Sequence, residues 1–190
     1  SINTVDFIDN VASEYDGGAI YTVGGTIALT DCVLDSNDVT KLETSSSANH
    51  GGAAIYAKNA VVTLTNTNVT NNGRDLNRTN GDLANGVLNL LNSDTTITGC
   101  LFENNTGIYG GAIYAEGGEI DISESSFVAN NAYSGGAIQL EGSIDFNIAD
   151  STFTDNNKAV GTGSPGYSAG GGAIFINGAE GTMDNITVKG

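Results

Sequence analysis

Apolar and polar residues alternate with a period of two along most of the chain, a pattern typical of β-strands and not of helices. The alternating stretches are short and recur at intervals of roughly 25 to 35 residues, which marks an internal repeat. Each repeat predicts three short strands: one with an apolar pair, one with a central Phe and one that begins Gly-Gly-Ala-Ile. No repeat carries an Asn-Gly reversal at a fixed place, so hairpins are not favoured.

Two motifs define the repeat. Gly-Gly-Ala-Ile begins at Gly17, Gly110, Gly135 and Gly171, with looser copies at Ala53 and Gly86. The second motif is Phe followed three positions later by Asn. With Leu34 and Val69 in the Phe position, that Asn occurs in all six repeats, as Asn10, Asn37, Asn72, Asn105, Asn130 and Asn156.

This organisation predicts an all-β fold, a right-handed parallel β-helix formed by residues 1–190 as one domain. We expect six coils of three short strands each, with equivalent side chains stacked along the axis. The six repeated asparagines then form a structural ladder in which side-chain amides hydrogen-bond from coil to coil.

Three repeats carry insertions after the ladder Asn, from Asp38 to Gly51, Gly73 to Ala84 and Asn157 to Gly170. They predict insertion loops at one corner of the solenoid, and such a face often binds partners. The candidate loop-face contacts are the basic residues and the single His in these segments: Lys41, His50, Arg74, Arg78 and Lys158. The alternative is that long surface loops tolerate polar residues without a binding role.

A second column follows the Ile of each Gly-Gly-Ala-Ile strand. Because that Ile points inward, its neighbour should point outward, which predicts an exposed and partly aromatic stripe. The candidate aromatic contact residues are Tyr21, Tyr56, Tyr114 and Phe175, with Asn89 and Gln139 completing the column. These rings could stack on sugar rings or on a neighbouring rod, or only on one another within the sheet.

The two cysteines, Cys32 and Cys100, stand at equivalent places two coils apart, with Thr67 between them. Twice the strand spacing is about 9.6 Å, beyond the reach of a disulfide, so we expect two buried free thiols acting as small apolar fillers. Four Asn-x-Ser/Thr sequences are candidate glycosylation sites, at Asn68, Asn77, Asn104 and Asn185, although four are expected by chance.

The charge and composition of the chain exclude some classes of function. Six Lys and Arg against 22 Asp and Glu give a net charge of −16, which excludes nucleic-acid binding because the cations that neutralise phosphates are missing. No apolar run is long enough to cross a bilayer, so direct membrane insertion is not expected. The acids are interpreted as scattered over outward positions and turns.

Catalysis is not predicted. A single His allows no nucleophile, base and orienting set, and no pair of carboxylates facing across a cleft is evident. Neither a cofactor nor a metal site is indicated. A polysaccharide-binding or polysaccharide-degrading β-helix enzyme stays the alternative function.

The motifs resemble the passenger repeats of chlamydial polymorphic outer-membrane proteins and of adhesin-like surface proteins. The matching residues are the four Gly-Gly-Ala-Ile copies and the pairs Phe7 and Asn10, Phe102 and Asn105, Phe127 and Asn130, and Phe153 and Asn156. The resemblance implies an extracellular, cell-surface role in adhesion, with cell-surface glycans or other cells as partners.

The two ends are in the same phase of the repeat: Met183 corresponds to Ile2, and Val188 corresponds to Phe7. We identify no capping segment at either end. Two interpretations stay open. In one, copies of the chain stack head to tail into a filament or surface fibre by pairing of terminal coils; in the other, the sequence is an excerpt of a larger surface adhesin.

Overall fold

The computed structural model describes residues 1–13, 16–40, 51–73, 85–158 and 170–190. These residues form strands joined by tight bends, and no helix occurs among them. The predicted all-β fold is therefore confirmed, and its sheets are consistent with a β-solenoid.

The largest sheet contains 11 of the described strands and combines two strand families. The apolar-pair family comprises β1 (Ile2–Asn3), β5 (Thr26–Thr30), β9 (Val61–Thr65), β12 (Asp94–Thr98) and β21 (Glu180–Asp184). The Gly-Gly-Ala-Ile family comprises β4 (Ile20–Val23), β8 (Ile55–Lys58), β11 (Leu88–Leu91) and β20 (Ile174–Asn177). Two long strands, β14 (Ile113–Ser123) and β17 (Ile138–Ala149), belong to both families because they continue through the bend that separates them elsewhere.

The Phe-containing strands form a second sheet of seven strands. They are β2 (Asp6–Ile8), β6 (Val33–Asp35), β10 (Asn68–Thr70), β13 (Leu101–Glu103), β15 (Ser126–Val128), β18 (Thr152–Thr154) and β22 (Thr187–Lys189). Two short pairs follow the ladder asparagines: β3 (Val11–Ala12) with β7 (Asp38–Val39), and β16 (Asn131–Ala132) with β19 (Asn157–Lys158).

Every strand pairing among the described residues is parallel, and each joins equivalent positions of successive repeats. Leu29 pairs with Leu64, which pairs with Ile97, and the same column continues through Ile122, Ile148 and Met183. Such pairing requires the chain to return to the same place once per repeat. This arrangement is consistent with a β-solenoid.

The core lies between the sheets and consists of stacked rows of apolar side chains. Phe102, Phe127 and Phe153 are fully buried, and their rings stack in parallel with centroids 4.7 Å apart. Burying one such side chain stabilises the fold by about 1.5 to 3 kcal/mol, and each aromatic stack adds about 1 kcal/mol. The Phe rows therefore contribute substantially to the attraction between repeats.

The six repeated asparagines lie in one column at the bend after the Phe strand. In the first five of them, the side-chain Nδ2 donates to the Oδ1 of the Asn in the next repeat at 2.8 to 3.1 Å. The same Oδ1 also accepts the backbone N–H of the preceding Asn at 2.9 to 3.1 Å. The residue before each Asn adopts the left-handed conformation, with φ between 52 and 57° at Asp9, Ser36, Asn71, Asn104, Ala129 and Asp155. The ladder thus supplies the hydrogen bonds that a sharply bent backbone cannot supply itself.

The two cysteines are free and buried, as predicted. Both lie in the hydrophobic core cluster, as expected of small apolar fillers, and they also belong to a second ladder of short side chains. The Cys32 N–H donates to Thr67 Oγ1, the Thr67 N–H to Cys100 Sγ and the Cys100 N–H to Ser125 Oγ. Burial raises the pKa of the Cys100 thiol. The thiols themselves hydrogen-bond at the bend before the Phe strand, since Cys32 Sγ donates to the Thr30 carbonyl at 3.2 Å and Cys100 Sγ donates to the Thr98 carbonyl at 3.4 Å.

Candidate functional site

The candidate loop-face residues lie largely beyond the described part of the chain. Lys41, His50, Arg74, Arg78 and the glycosylation candidate Asn77 are outside it, and of Lys158 the structure describes the backbone, in β19. The contact role of these residues stays a prediction. The other three glycosylation candidates, Asn68, Asn104 and Asn185, are exposed.

The candidate aromatic column forms in the expected order. Tyr21 pairs with Tyr56, and the column continues through Asn89, Tyr114, Gln139 and Phe175. The Tyr21 and Tyr56 rings stack with centroids 5.1 Å apart. Neighbouring positions on the same strands, such as Leu88 and Leu90, point into the core, so the column lies on the opposite, outer face.

The expectation that this column is exposed is wrong in its centre. Tyr21 is 58% exposed, but Tyr56 is 5% and Tyr114 1% exposed, and Phe175 is intermediate. The reason is a second small cluster on the outer face, in which Tyr56, Leu91 and Tyr114 pack together with Tyr109. Large apolar side chains on adjacent strands bury one another, a packing that alternation within one strand does not reveal.

Tyr114 links this cluster to two carboxylates. Its hydroxyl donates to Glu116 Oε2 at 3.1 Å and to Glu141 Oε2 at 3.4 Å, and Gln139 Nε2 donates to Glu141 Oε1 at 2.7 Å. Burial and the two carboxylates raise the pKa of Tyr114 above its ordinary range. Burial, with Asp16 and Tyr21 nearby, raises the pKa of Tyr56 to about 12. Both phenols are therefore neutral at physiological pH, and that of Tyr114 donates hydrogen bonds to the carboxylates.

Asn89 lies in the same column with its side chain fully buried. Within the described part of the chain, neither its Nδ2 nor its Oδ1 has a hydrogen-bond partner, and the same holds for Gln139 Oε1. Burial of an unpaired polar group costs about 1 to 3 kcal/mol. No sequence signal distinguishes Asn89 from the other polar members of the column.

The prediction that the acidic residues are scattered is wrong for one group of them, which the structure aligns in a column. Glu119 pairs with Asp145, and Asp145 pairs with Glu180, so three exposed carboxylates follow one another on successive repeats. With Asp121 and Asn147 they line an open groove of about 260 Å³. Each of these acids stands eight residues before the Phe position of its repeat, at Phe127, Phe153 and Val188, so the motif register contained the alignment although the acids themselves form no recognisable motif.

No group of three His, Cys, Asp or Glu side chains in the described ranges is placed to hold a metal ion. Across those ranges there is also no helix of the length and apolarity that a membrane span requires.

Comparison with known proteins connects this geometry to a class. Residues 99–116 match the repeat of the Chlamydia polymorphic membrane protein family; the segment contains Phe102, Asn105 and one Gly-Gly-Ala-Ile copy. Over 183 residues, 94% of this chain, the sequence is 30% identical to a probable autotransporter, YfaL, of Escherichia coli strain K12. The chain spans 11% of that protein's length. No solved structure matches.

These matches confirm the resemblance first indicated by the Phe-x-x-Asn and Gly-Gly-Ala-Ile motifs. The protein is built from polymorphic outer-membrane-protein-like repeats, and it is exposed at the cell surface. Similarity to these two groups of proteins suggests a surface protein with adhesin-like repeats that is not an enzyme.

Proposed function

We propose that this chain is an extracellular structural and adhesive β-solenoid, a passenger-type rod that presents a contact surface without catalysing a reaction. The observation that carries the proposal is the continuous in-register stacking of repeats whose motif matches surface-protein repeats. In its finer form the rod is a right-handed parallel β-helix of six coils with three short strands per coil. Right-handed crossovers are strongly favoured between parallel strands, which supports the handedness.

A rod of this kind suits adhesion for a physical reason. Backbone hydrogen bonds and two side-chain ladders connect each repeat to its neighbours, so the rod holds its outward residues at fixed spacing. The outward positions and inserted segments can then vary without loss of the core. We expect cell-surface glycans or surfaces of other cells as partners, bound through the inserted segments that contain Lys41, Arg74 and Arg78.

The test is binding of beads coated with the purified chain to cultured cells and to a glycan array. A variant with Lys41, Arg74 and Arg78 replaced by Gln should bind less, whereas Glu119→Gln with Asp145→Asn, on the outer face of the largest sheet, should bind as the parent does. Absence of binding to every cell and glycan would contradict adhesion. A reducing-end assay on polysaccharides should show no release, and release would favour the enzyme alternative.

Head-to-tail stacking of copies is a further part of this proposal. Strands β1, β2 and β4 at one edge, and β20, β21 and β22 at the other, pair on one side only among the described residues. Unpaired strand edges can bind any complementary edge, whether from further repeats or from a second copy. Size-exclusion chromatography and negative-stain microscopy should reveal rods longer than one chain. A monomer at high concentration would contradict stacking and leave adhesion untouched.

A further inference from the structure

Two glutamates stand side by side on the outer face of the largest sheet. Glu116 and Glu141 pair in register on β14 and β17, and these two strands are flanked by β11 and β20. Both side chains are partly buried. Carboxylates directly opposite each other on neighbouring strands repel, and partial burial strengthens the repulsion because less water screens it. A positive charge between them would therefore stabilise the pair.

The described part of the chain supplies no positive charge to this pair. Lys58 stands in the same row, but two strands from Glu116, with Leu91 between them. Within the described ranges the two carboxylates accept hydrogen bonds from Tyr114 and Gln139, and neither forms an ion pair. The Tyr114 hydroxyl has a single proton, which can serve only one carboxylate at a time. These hydrogen bonds leave the charge of the pair uncompensated.

A buried amide oxygen lies beside the pair without a partner. Gln139 is 1% exposed, and its Oε1 has no hydrogen bond within the described part of the chain. Its Nε2 donates to Glu141 Oε1 at 2.7 Å, and the bond lengths of an amide then place Gln139 Oε1 within about 5 Å of that carboxylate oxygen. The reversed amide would bring two oxygens together, which fixes its orientation. The end of Gln139 therefore reaches the carboxylate pair and brings an unused acceptor to it.

Oxygen acceptors without a donor or a counter-charge are the ligands that a hard cation prefers. Because Ca²⁺ binds oxygens at about 2.3 to 2.6 Å, two ligands of one ion lie at most about 5 Å apart, which matches the separation available between Glu141 Oε1 and Gln139 Oε1. Ca²⁺ accepts irregular geometry and water ligands, whereas Mg²⁺ requires a near-ideal octahedron. Transition metals favour imidazole or thiolate ligands, and these three side chains offer neither.

We propose that Glu116, Glu141 and the Oε1 of Gln139 form a calcium site on the outer face of the rod, with water in the remaining coordination positions. No third His, Cys, Asp or Glu joins the two glutamates among the residues that the structure describes, so the amide oxygen is the third protein ligand. It also distinguishes this pair from Glu119 and Asp145, which lie opposite each other on the same two strands but are both exposed.

Calorimetric titration of the purified chain with CaCl₂, after removal of divalent cations, tests the site. We expect saturable binding with a Kd of about 10⁻⁴ to 10⁻³ M, the range of extracellular calcium modules. Glu116→Gln combined with Glu141→Gln should weaken binding about tenfold or more, because the charge of the ligands sets the affinity. The matched control is Glu119→Gln with Asp145→Asn. It removes the same charge from the same strands and should bind calcium as tightly as the parent.

The variant Gln139→Leu tests the amide oxygen separately, because it leaves both carboxylates in place. It should also weaken calcium binding about tenfold. Thermal unfolding in calcium-free buffer shows whether each variant is folded. Added calcium should then raise the unfolding temperature of the parent and of the control, but not of the site variants, because an ion that binds only the folded state stabilises it.

Terbium luminescence locates the ion. Tb³⁺ occupies calcium sites and emits when a nearby Tyr is excited, and the chain contains no Trp to compete. Calcium should displace the Tyr-sensitised emission in the parent, and Tyr114→Phe should remove most of that emission, since the Tyr114 hydroxyl contacts both carboxylates. Four results would each overturn the proposal: no saturable calcium binding, equal weakening by the two double substitutions, unchanged binding in Gln139→Leu, or undiminished emission in Tyr114→Phe.

Discussion

At the scale of single residues, the bends of this protein are held by side chains that provide hydrogen bonds where the backbone turns. Asn72 makes five hydrogen bonds, four of them through its side chain. Its Nδ2 donates to the Leu34 carbonyl and to Asn105 Oδ1, its Oδ1 accepts from the backbone N–H and the side chain of Asn37, and its backbone N–H also donates to Asn105 Oδ1. No other side chain of similar size offers a donor and an acceptor in this geometry.

Replacing Asn72 with Ala therefore leaves several buried groups without partners, among them the Asn37 N–H and the Leu34 carbonyl. We expect a loss of about 3 kcal/mol in the free energy of unfolding, measured by urea titration. The matched control is Asn68→Ala, because Asn68 is an exposed Asn four residues earlier. It should change stability by less than about 0.5 kcal/mol. Equal effects of the two substitutions would show that the ladder contributes nothing specific.

A single carboxyl group, that of Asp35, makes a pH-dependent contribution to the stability of the folded state. Hydrogen bonds from Thr70, Asn71 and Ser36, of which that from Thr70 at 2.6 Å has the largest effect, lower the pKa of this carboxyl below 3.8. A lowered pKa in the folded state means that the stabilisation is present above the unfolded-state pKa and is lost as pH falls through the folded-state pKa.

The variant Thr70→Val should consequently be less stable than the parent at neutral pH, and the difference should shrink as the pH falls below 3.8. Unfolding titrations at several pH values measure this difference. A gap between parent and variant that is constant with pH would contradict the role of the Asp35 charge.

At the scale of strands and bends, repeats approach each other so closely that some positions exclude a Cβ. At Gly136 an added Cβ would clash with the carbonyl oxygens of Gly172 and Asn157, although its φ suits any residue. At Gly172, the next Gly along the rod, the nearest atom to an added Cβ would be 4.0 Å away. A Gly→Ala substitution at the two positions therefore compares a crowded site, Gly136, with an open one, Gly172.

Gly136→Ala should therefore lower the free energy of unfolding by about 2 kcal/mol, because the backbone of the next repeat must move away to admit the methyl group. Gly172→Ala should be neutral or stabilising by up to about 1 kcal/mol, since Ala restricts the unfolded chain. Thermal unfolding of both variants and of the parent measures these differences in stability. Similar losses in both would mean that the close approach at Gly136 is not limiting.

The strand order and the Asn column were predictable because the spacing from Phe to Asn is constant in every repeat, so register follows from the motif alone. The register of the second ladder was predictable as well, because Cys32, Thr67 and Cys100 stand at equivalent places in successive repeats. Its hydrogen bonds were not predictable, since a buried Cys can equally serve as an apolar filler alone. Burial of Tyr114 also escaped prediction, because it depends on Tyr109, which lies outside the named strands and packs against the Tyr114 ring at a centroid distance of 6.1 Å. The spacing of the motif residues therefore determines the strand register, whereas the burial of side chains on the outer face depends on residues outside the repeat motif.

At the scale of the whole molecule, the dominant electrostatic feature is a net charge of −16 on a rod whose repeats are in register. Register converts a general excess of acids into rows of like charge, as in the column of Glu119, Asp145 and Glu180. Like charges directly opposite each other on neighbouring strands destabilise a sheet by some tenths of a kcal/mol to about 1 kcal/mol per pair.

Added salt should therefore stabilise the protein, because exposed like charges at this separation are screened at ionic strengths of about 0.1 M and above. We expect the urea midpoint at neutral pH to rise with NaCl concentration, and to rise less in Asp145→Asn, which removes the central charge of the column. Glu103→Gln is the matched control, since its neighbours in register, Thr70 and Val128, carry no charge. That variant should keep the salt dependence of the parent. If Asp145→Asn and Glu103→Gln flatten the dependence equally, net charge and not the alignment of the column governs the response to salt.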